Sequence, residues 1–262
     1  MDSIAWLGMY DHPGQHAAND ALWSAIRDHL RASGLADVPE QRSRDTDIHR
    51  VWAHPGLLLG MICTRPWALA HRDLQLLGHP VYAGTDRPGE HRSWIVVRRD
   101  DPAVRLADLR GRRAAINDGG SNTGMALLRD RIASLAQDGC FFGEVVATGA
   151  HAASARAVAT GRADVAAIDE VTFAALARFE PELTERLRIL DKTAPAITPA
   201  FVTAAGTPPD IVSLLRIALD QSLPHEPPAL GLMGMVPPSP ALADRIMAQD
   251  EAAARAGYPH LA

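Results

Sequence analysis

The chain has 262 residues, 47% of them hydrophobic and 22% charged, with a formal net charge of -5. That composition excludes a disordered chain and suits either one large domain or two moderate lobes. It carries no basic run and no basic stripe interleaved with aromatics, which argues against a nucleic-acid partner.

Met1 to Tyr10 has no basic region, apolar core or small-residue cleavage site, so the chain as written reads as cytoplasmic and Ile4–Tyr10 as a first strand. No apolar run of about twenty residues is present to span a bilayer. After the loop Asp11–Gly14, Leu22, Ile26 and Leu30 recur at helical spacing up to Gly34. Val38–Arg44 reads as a second strand and Asp47–Ala53 as a short helix. Leu57–Ile62 is an unbroken apolar run suited to a central strand. Its exit, Cys63-Thr-Arg-Pro66, places Thr64 and Arg65 at the strand's carboxyl end, with Pro66 in a first helical turn.

Leu74–Tyr82 is a further strand, and the polar, breaker-rich Gly84–Arg92 precedes the strongly β-like Trp94–Val97, where a lobe change is expected. Beyond it come a short helix at Leu106–Leu109, strand Glu144–Thr148, helix Ala152–Thr160 stopped by Gly161, and strands Val165–Ile168 and Leu187–Leu190. This alternation implies a parallel sheet. Ala200–Ala204 returns the chain to the first lobe, and Pro208–Leu223 and Ala241–Ala256 read as helices. Pro224–Pro240 holds too many prolines for a regular element, so its Leu232–Met235 reads as core filler.

The most informative stretch is Ala114–Leu128, a buried strand, a Gly119-Gly120 turn, and a helix starting near Ser121 with Met125, Leu128 and Ile132 on one face. The first backbone N–H groups of that helix lack intrahelical partners and carry the positive end of its dipole, which suits an anion, and Gly124 allows close approach. A serine N-cap and a Gly-Gly turn are equally ordinary structural devices. Neither the Walker pattern nor the dinucleotide glycine fingerprint fits.

In open α/β sheets ligands gather outside the carboxyl ends of the strands. The residues there are Tyr10 and Asp11, Thr64 and Arg65, Ser121 to Gly124, His151 with Ser154, and Asp169 with Glu170. Each has an architectural alternative: Tyr10 as a core ring, Arg65 as an ion-pair partner, His151 as a helix-cap group, Asp169 as an N-cap. Their joint placement favours a ligand site. Cys63 and Cys140 stand too far apart for a metal or redox motif and read as buried thiols. His12-x-x-x-His16 has a ligand spacing but begins in a loop beside Pro13-Gly14, and no nucleophile elbow occurs, so no metal or cofactor is expected.

Asp108-Leu-Arg-Gly111, the Ser121-Asn-Thr-Gly124 helix start, Gly149-Ala-His151 with Ser154, and Gly161 to Asp169 together resemble the phosphate/phosphonate-binding, PhnD-like branch of the type 2 periplasmic binding proteins. The resemblance implies an α/β fold of two lobes, each a mostly parallel sheet flanked by helices, joined by two crossovers: residues 1–93 plus 199–262, and 94–198. It implies a solute-binding protein that closes on a small anionic ligand, with an ABC importer permease as partner and a periplasmic address. Ser121, Asn122, Thr123 and the N–H of Gly124 would hold the oxyanion, His151 would add a donor, Asp169 would hold a ligand amine, and Tyr10, Thr64 and Arg65 would contribute from the first lobe. Arg65 replaces a tyrosine usual in the family. Two alternatives share the fold: a cytosolic cofactor-independent enzyme like the menaquinone-pathway dehydratases, using His151 and Asp169 for proton transfer, and a cytosolic sensor.

Overall fold

The computed structural model describes residues 2–225 and 228–262; Met1, and Glu226 and Pro227 of the segment expected to be irregular, lie outside the described residues. In chain order the elements begin β1 (Ile4–Ala5), α1 (His16–Ala32), α2 (Ile48–Trp52), β2 (Leu57–Ile62), α3 (Thr64–Ala70), β3 (Gln75–Tyr82), β4 (Glu90–His91), β5 (Ser93–Arg98) and β6 (Arg113–Ile116). They continue with α4 (Leu127–Ile132), β7 (Glu144–Ala147), α5 (His151–Ala159), β8 (Val165–Asp169), α6 (Glu170–Phe179), α7 (Pro181–Thr184) and β9 (Leu187–Lys192). The last are β10 (Ala196–Ile197), β11 (Ala200–Thr203), α8 (Pro209–Ser222), β12 (Leu232–Val236) and α9 (Leu242–Arg255).

The chain divides into two compact units, lobe 1 (Met1–Glu90 and Ile197–Leu242) and lobe 2 (His91–Ala196 and Ala243–Ala262). Lobe 1 has a five-stranded sheet in the order β1-β2-β11-β3-β12, and lobe 2 one in the order β7-β6-β8-β5-β9. The expectation of mostly parallel sheets needs refining. β1 pairs parallel with β2, and β6 with both β7 and β8, but β11 lies antiparallel between β2 and β3, and β5 antiparallel between β8 and β9. The strand that first enters lobe 2 and the one that re-enters lobe 1 each run against their neighbours, so the pairings are mixed.

The central strands of the lobe-2 sheet, β5, β6 and β8, are buried on both faces. Ile95, Val97, Ala114, Val165 and Ala167 point into one cluster, while Val96, Ala115, Ala166 and Ile168 point into another, the alternation that successive residues of a strand require. In lobe 1, β2 is buried along its whole length. The α1 side chains Leu22, Trp23, Ile26 and Leu30 are buried in the same cluster as β2, and the helix ends before Gly34, whose φ of 92° only glycine adopts cheaply.

Three local expectations are corrected. The first strand stops at Ala5, because the Trp6 ring folds over Gly8, where a Cβ would stand 2.4 Å from it; Gly8–Tyr10 is instead a tight turn of helix. No strand forms over Val38–Arg44. Only Ser43 reaches a strand, donating its N–H to the Ala5 carbonyl at 2.6 Å, while Arg42 turns inward to pair with Asp11 at 2.7 Å and Asp20 at 2.8 Å. Conversely, the proline-rich segment contains β12, which pairs with the free edge of β3 and packs Met235 on Gly78, where a Cβ would lie 2.2 Å from its sulfur. Met233 on that strand is exposed rather than core filler.

The C-terminal segment belongs to lobe 2, not to lobe 1, so a third passage of the chain, at Leu242 to Ala243, adds to the two expected. Buried Arg129 explains this, donating to Asp250 at 2.8 Å, to Asp130 at 3.1 Å and to the Pro259 carbonyl at 3.2 Å. Tyr258 is fully buried among Phe141, Phe142, Leu106 and Leu109. The N–H groups of Phe141 and Phe142 donate to the Ala262 carbonyl oxygen at 2.7 and 2.9 Å. Removing the cation of a buried pair costs about 3–5 kcal/mol because the carboxylates are left uncompensated. Arg129→Ala should therefore lower the melting temperature by roughly 10 °C, read by circular dichroism. Burial already raises the Asp130 pKa, and Asp250 pushes it further in the same direction.

Candidate functional site

Because β6, β7 and β8 are parallel, with Ile116 opposite Ala147 and Ala115 opposite Ala166, their carboxyl ends share one edge of the lobe-2 sheet. Asp118 forms the turn after β6, its carboxylate accepting from Gly120 N–H at 2.6 Å and its carbonyl from Ser121 N–H at 3.1 Å. Ser121 then caps the helix, its Oγ accepting from Gly124 N–H at 3.1 Å. The first turn, Asn122–Ala126, is a π-turn: the Ser121 carbonyl accepts from Ala126, five residues on, rather than from the fourth. Such a widened start leaves one more N–H outside the ladder than an α-helix does, and π-turns recur at functional positions.

Ser121, Asn122, Thr123 and Gly124 are all buried. Two details differ from expectation. The Gly124 N–H is satisfied by Ser121 rather than offered to a ligand. What approaches its Cα closely is protein: a Cβ there would lie 1.7 Å from Asn117 Oδ1 and 3.0 Å from His151 Cε1. Gly124→Ala should displace Asn117 and press on the imidazole. The expected result is about a tenfold loss of ligand affinity by calorimetry, with melting temperature changed by no more than a few degrees.

His151 occupies the first position of α5. Its Nε2 is 3.0 Å from Thr123 Oγ1 and its Nδ1 3.2 Å from the Ala167 carbonyl oxygen. Burial lowers its pKa, against the pull of Asp169 and of the Ala167 carbonyl, so the ring is neutral at neutral pH. Ser154, one turn along α5, shares a 2.7 Å hydrogen bond with Thr148 Oγ1 at the end of β7.

Asp169 is 1% exposed and is the N-cap of α6, its Oδ1 accepting from Val171 N–H at 2.9 Å and Thr172 N–H at 3.2 Å. Its Oδ2 accepts from His91 Nδ1 at 2.8 Å. Burial opposes its charge, but the charge and hydrogen bond of His91 prevail and hold its pKa below the usual carboxylate range. The neighbouring Glu170 accepts from Arg92 N–H at 2.9 Å, and burial raises its pKa.

His91 and Ser93 also stand at this edge, although neither follows a strand end. β5 runs antiparallel to β8, with Ser93 opposite Asp169, so the beginning of β5 lies at the edge where β8 ends. Ser93 Oγ donates to the Thr123 carbonyl at 2.9 Å, tying β5 to the helix start, and Ser93 N–H donates to Thr193 Oγ1 at 2.9 Å. Surveying residues before as well as after each strand would have included them.

In lobe 1, β1 and β2 are parallel, so Tyr10 and Thr64 follow strands ending on one edge, and Cys63 Sγ lies 3.6 Å from Met9 Sδ between them. Tyr10 meets Tyr82 edge to face, centroids 5.3 Å apart, beside a small cavity bounded by Leu7, Asn19 and Met61. Thr64 is buried and Arg65 half-buried at the start of α3. Cys63 is half-buried and Cys140 exposed, contrary to the expectation of buried thiols. His12 Nδ1 accepts from Gly14 N–H at 3.0 Å.

Residues 59–242 match the family described as ABC transporter, phosphonate, periplasmic substrate-binding protein. The chain belongs to this family. It is a substrate-binding protein rather than an enzyme, of a family that works in the periplasm with an ABC transporter. No curated protein matches it in sequence. Among solved structures it shares its fold with XAC2383 from Xanthomonas citri bound to ATP, at TM-score 0.69 and 20% identity over 97% of this chain and 98% of that one. PhnD1 from Prochlorococcus marinus in complex with methylphosphonate gives a TM-score of 0.76 at 12% identity, covering 96% of this chain and 97% of its own. A binding protein component of an ABC phosphonate transporter from Pseudomonas aeruginosa gives 0.76 at 13%, covering 97% and 87%. Among the described residues no helix is long and apolar enough to cross a membrane.

Proposed function

We propose that this substrate-binding protein holds a small anion, a phosphonate, a phosphate monoester or a similar group, at the Ser121 helix start of lobe 2 and delivers it in the periplasm to an ABC permease. The observation carrying this reading is the convergence of a π-widened helix start bearing Ser121, Asn122 and Thr123 with the His151 imidazole on one sheet edge. Backbone N–H groups and the helix dipole favour negative charge there. The methylphosphonate of PhnD1 and the ATP of XAC2383 both carry tetrahedral phosphorus oxyanions, which agrees with that choice.

Tyr10, Thr64 and Arg65 are proposed as the ligand-binding set of lobe 1, with the Arg65 guanidinium suited to a bidentate contact with an oxyanion. Gly124 enters as the residue that makes room for Asn117 and His151. Asp169 enters as the group that orients His91 and α6, since two backbone N–H groups and an imidazole occupy its carboxylate. Isothermal titration of ligand-stripped protein with methylphosphonate, glycerol phosphate, malate and arginine tests the reading. The phosphorus anions should bind and arginine should not; saturable binding of arginine alone would overturn it.

A further inference from the structure

We infer that the lobe-2 site selects a tetrahedral oxyanion that still carries one hydroxyl group, and that Thr123, held by His151, is the residue that makes the selection. This deepens the anion reading above and rests on it. Fully deprotonated or hydroxyl-free anions of the same shape, sulfate and sulfonates, are then rejected.

A carbonyl oxygen only accepts, so the 3.2 Å contact between His151 Nδ1 and the Ala167 carbonyl places the ring proton on Nδ1. The Asp169 N–H also points at Nδ1, but at 3.4 Å it is the longer of the two contacts. A neutral imidazole protonated on Nδ1 has a lone pair on Nε2, so the single hydroxyl proton of Thr123, 3.0 Å away, is directed there. Thr123 Oγ1 is left with lone pairs alone. A ligand oxygen that reaches it must bring a hydrogen.

The opposite arrangement would need a second proton on His151, so that Nε2 donates to Thr123 and Thr123 donates to the ligand. The groups facing the ring divide on this. Asp169 favours the extra proton, but its carboxylate is already engaged by His91 and by two backbone N–H groups. The charge of His91, the N-terminal end of α5 on which the ring sits, and the helix start bearing Thr123 all oppose it. Burial of the ring opposes it most. The neutral ring therefore prevails, and the hydroxyl comes from the ligand.

Methylphosphonate and methanesulfonate provide the test, because at about pH 6 both are chiefly monoanions of nearly the same shape and only the phosphonate retains a hydroxyl. Titration of the ligand-stripped full chain should give methylphosphonate an affinity at least about 100-fold higher, the scale reached when a buried polar group is left without its partner. Above the second pKa of the phosphonate, its affinity should fall tenfold per pH unit. Titrations at about pH 9 in two buffers of different ionisation enthalpy should report one proton taken up per site.

Thr123→Val should lower methylphosphonate affinity at least about tenfold and leave methanesulfonate unchanged, narrowing the ratio by the same factor. Affinities of the two anions within about threefold in the wild type, no proton uptake, or equal loss of both anions in the variant would overturn the inference while leaving the anion site standing. Failure of the wild type to bind either anion would overturn both readings. The wild-type comparison stands even if the variant does not fold.

Discussion

Thr123→Asp is expected to abolish anion binding while leaving the fold intact or slightly stabilised. A carboxylate placed about 4 Å from a bound anion, at the effective dielectric of a partly buried protein site, is opposed by about 4 kcal/mol, or roughly a thousandfold in affinity. It would also compete for the same donors, accepting from the N–H groups of the widened first turn as a ligand oxygen would. A negative charge in the first turn of a helix is favourable to folding by about 0.3–1 kcal/mol, so a loss of binding through unfolding and one through charge have opposite signatures in melting temperature. Calorimetry with methylphosphonate beside a thermal melt separates them. Binding undiminished by the added charge would sink the anion site, whereas Thr123→Ser, which keeps the hydroxyl beside His151, should stay within a few-fold of wild type.

The largest expected stability effect belongs to Asp169→Ala. It removes both N-cap bonds of α6, worth about 1 kcal/mol, and leaves buried His91 without its carboxylate. Breaking a buried pair by deleting one partner costs about 3–5 kcal/mol, which for a chain of this size is a fall of roughly 10 °C in melting temperature. Asp169→Asn keeps an oxygen for the cap and removes the charge, so its difference from wild type reads the charge.

The pH dependence has a definite sign. The folded-state pKa of Asp169 lies below its ordinary 3.8, so its contribution is fully present above that value and is lost as pH falls through the lowered one. The stability advantage of wild type over Asp169→Asn should therefore be constant near neutrality and disappear in acid. An advantage that grew on acidification would contradict the assignment.

Much of the fold was legible because local patterns were strong. Leu57–Ile62 reads as a buried strand and is one, since an apolar run of that length has few other places to go. Ser121 reads as a helix start and is its N-cap, and Asp169 likewise, because the capping hydrogen bond is made within three residues of sequence. The unread parts depend on contacts between distant segments. β12 is a short stretch among prolines that pairs with the open edge of β3, far from it in sequence. The helix of α9 was expected, but an amphipathic face says only that some core covers it; buried Arg129 and the Phe141–Phe142 backbone decide which.

The site divides in the same way. The residue types at the helix start after β6 and at the ends of β7 and β8 could be read from strand periodicity alone, because a parallel strand delivers its next residue to a known edge. Which of their polar groups remain for a ligand could not. Gly124 N–H is taken by Ser121, the Thr123 hydroxyl by His151, and the Asp169 carboxylate by His91, which arrives at the same edge only because β5 runs backwards beside β8. Sequence proximity settles where a backbone turns and what caps it. Each donor has only so many protons to give, and the tertiary partners that claim them are set by strand direction and register.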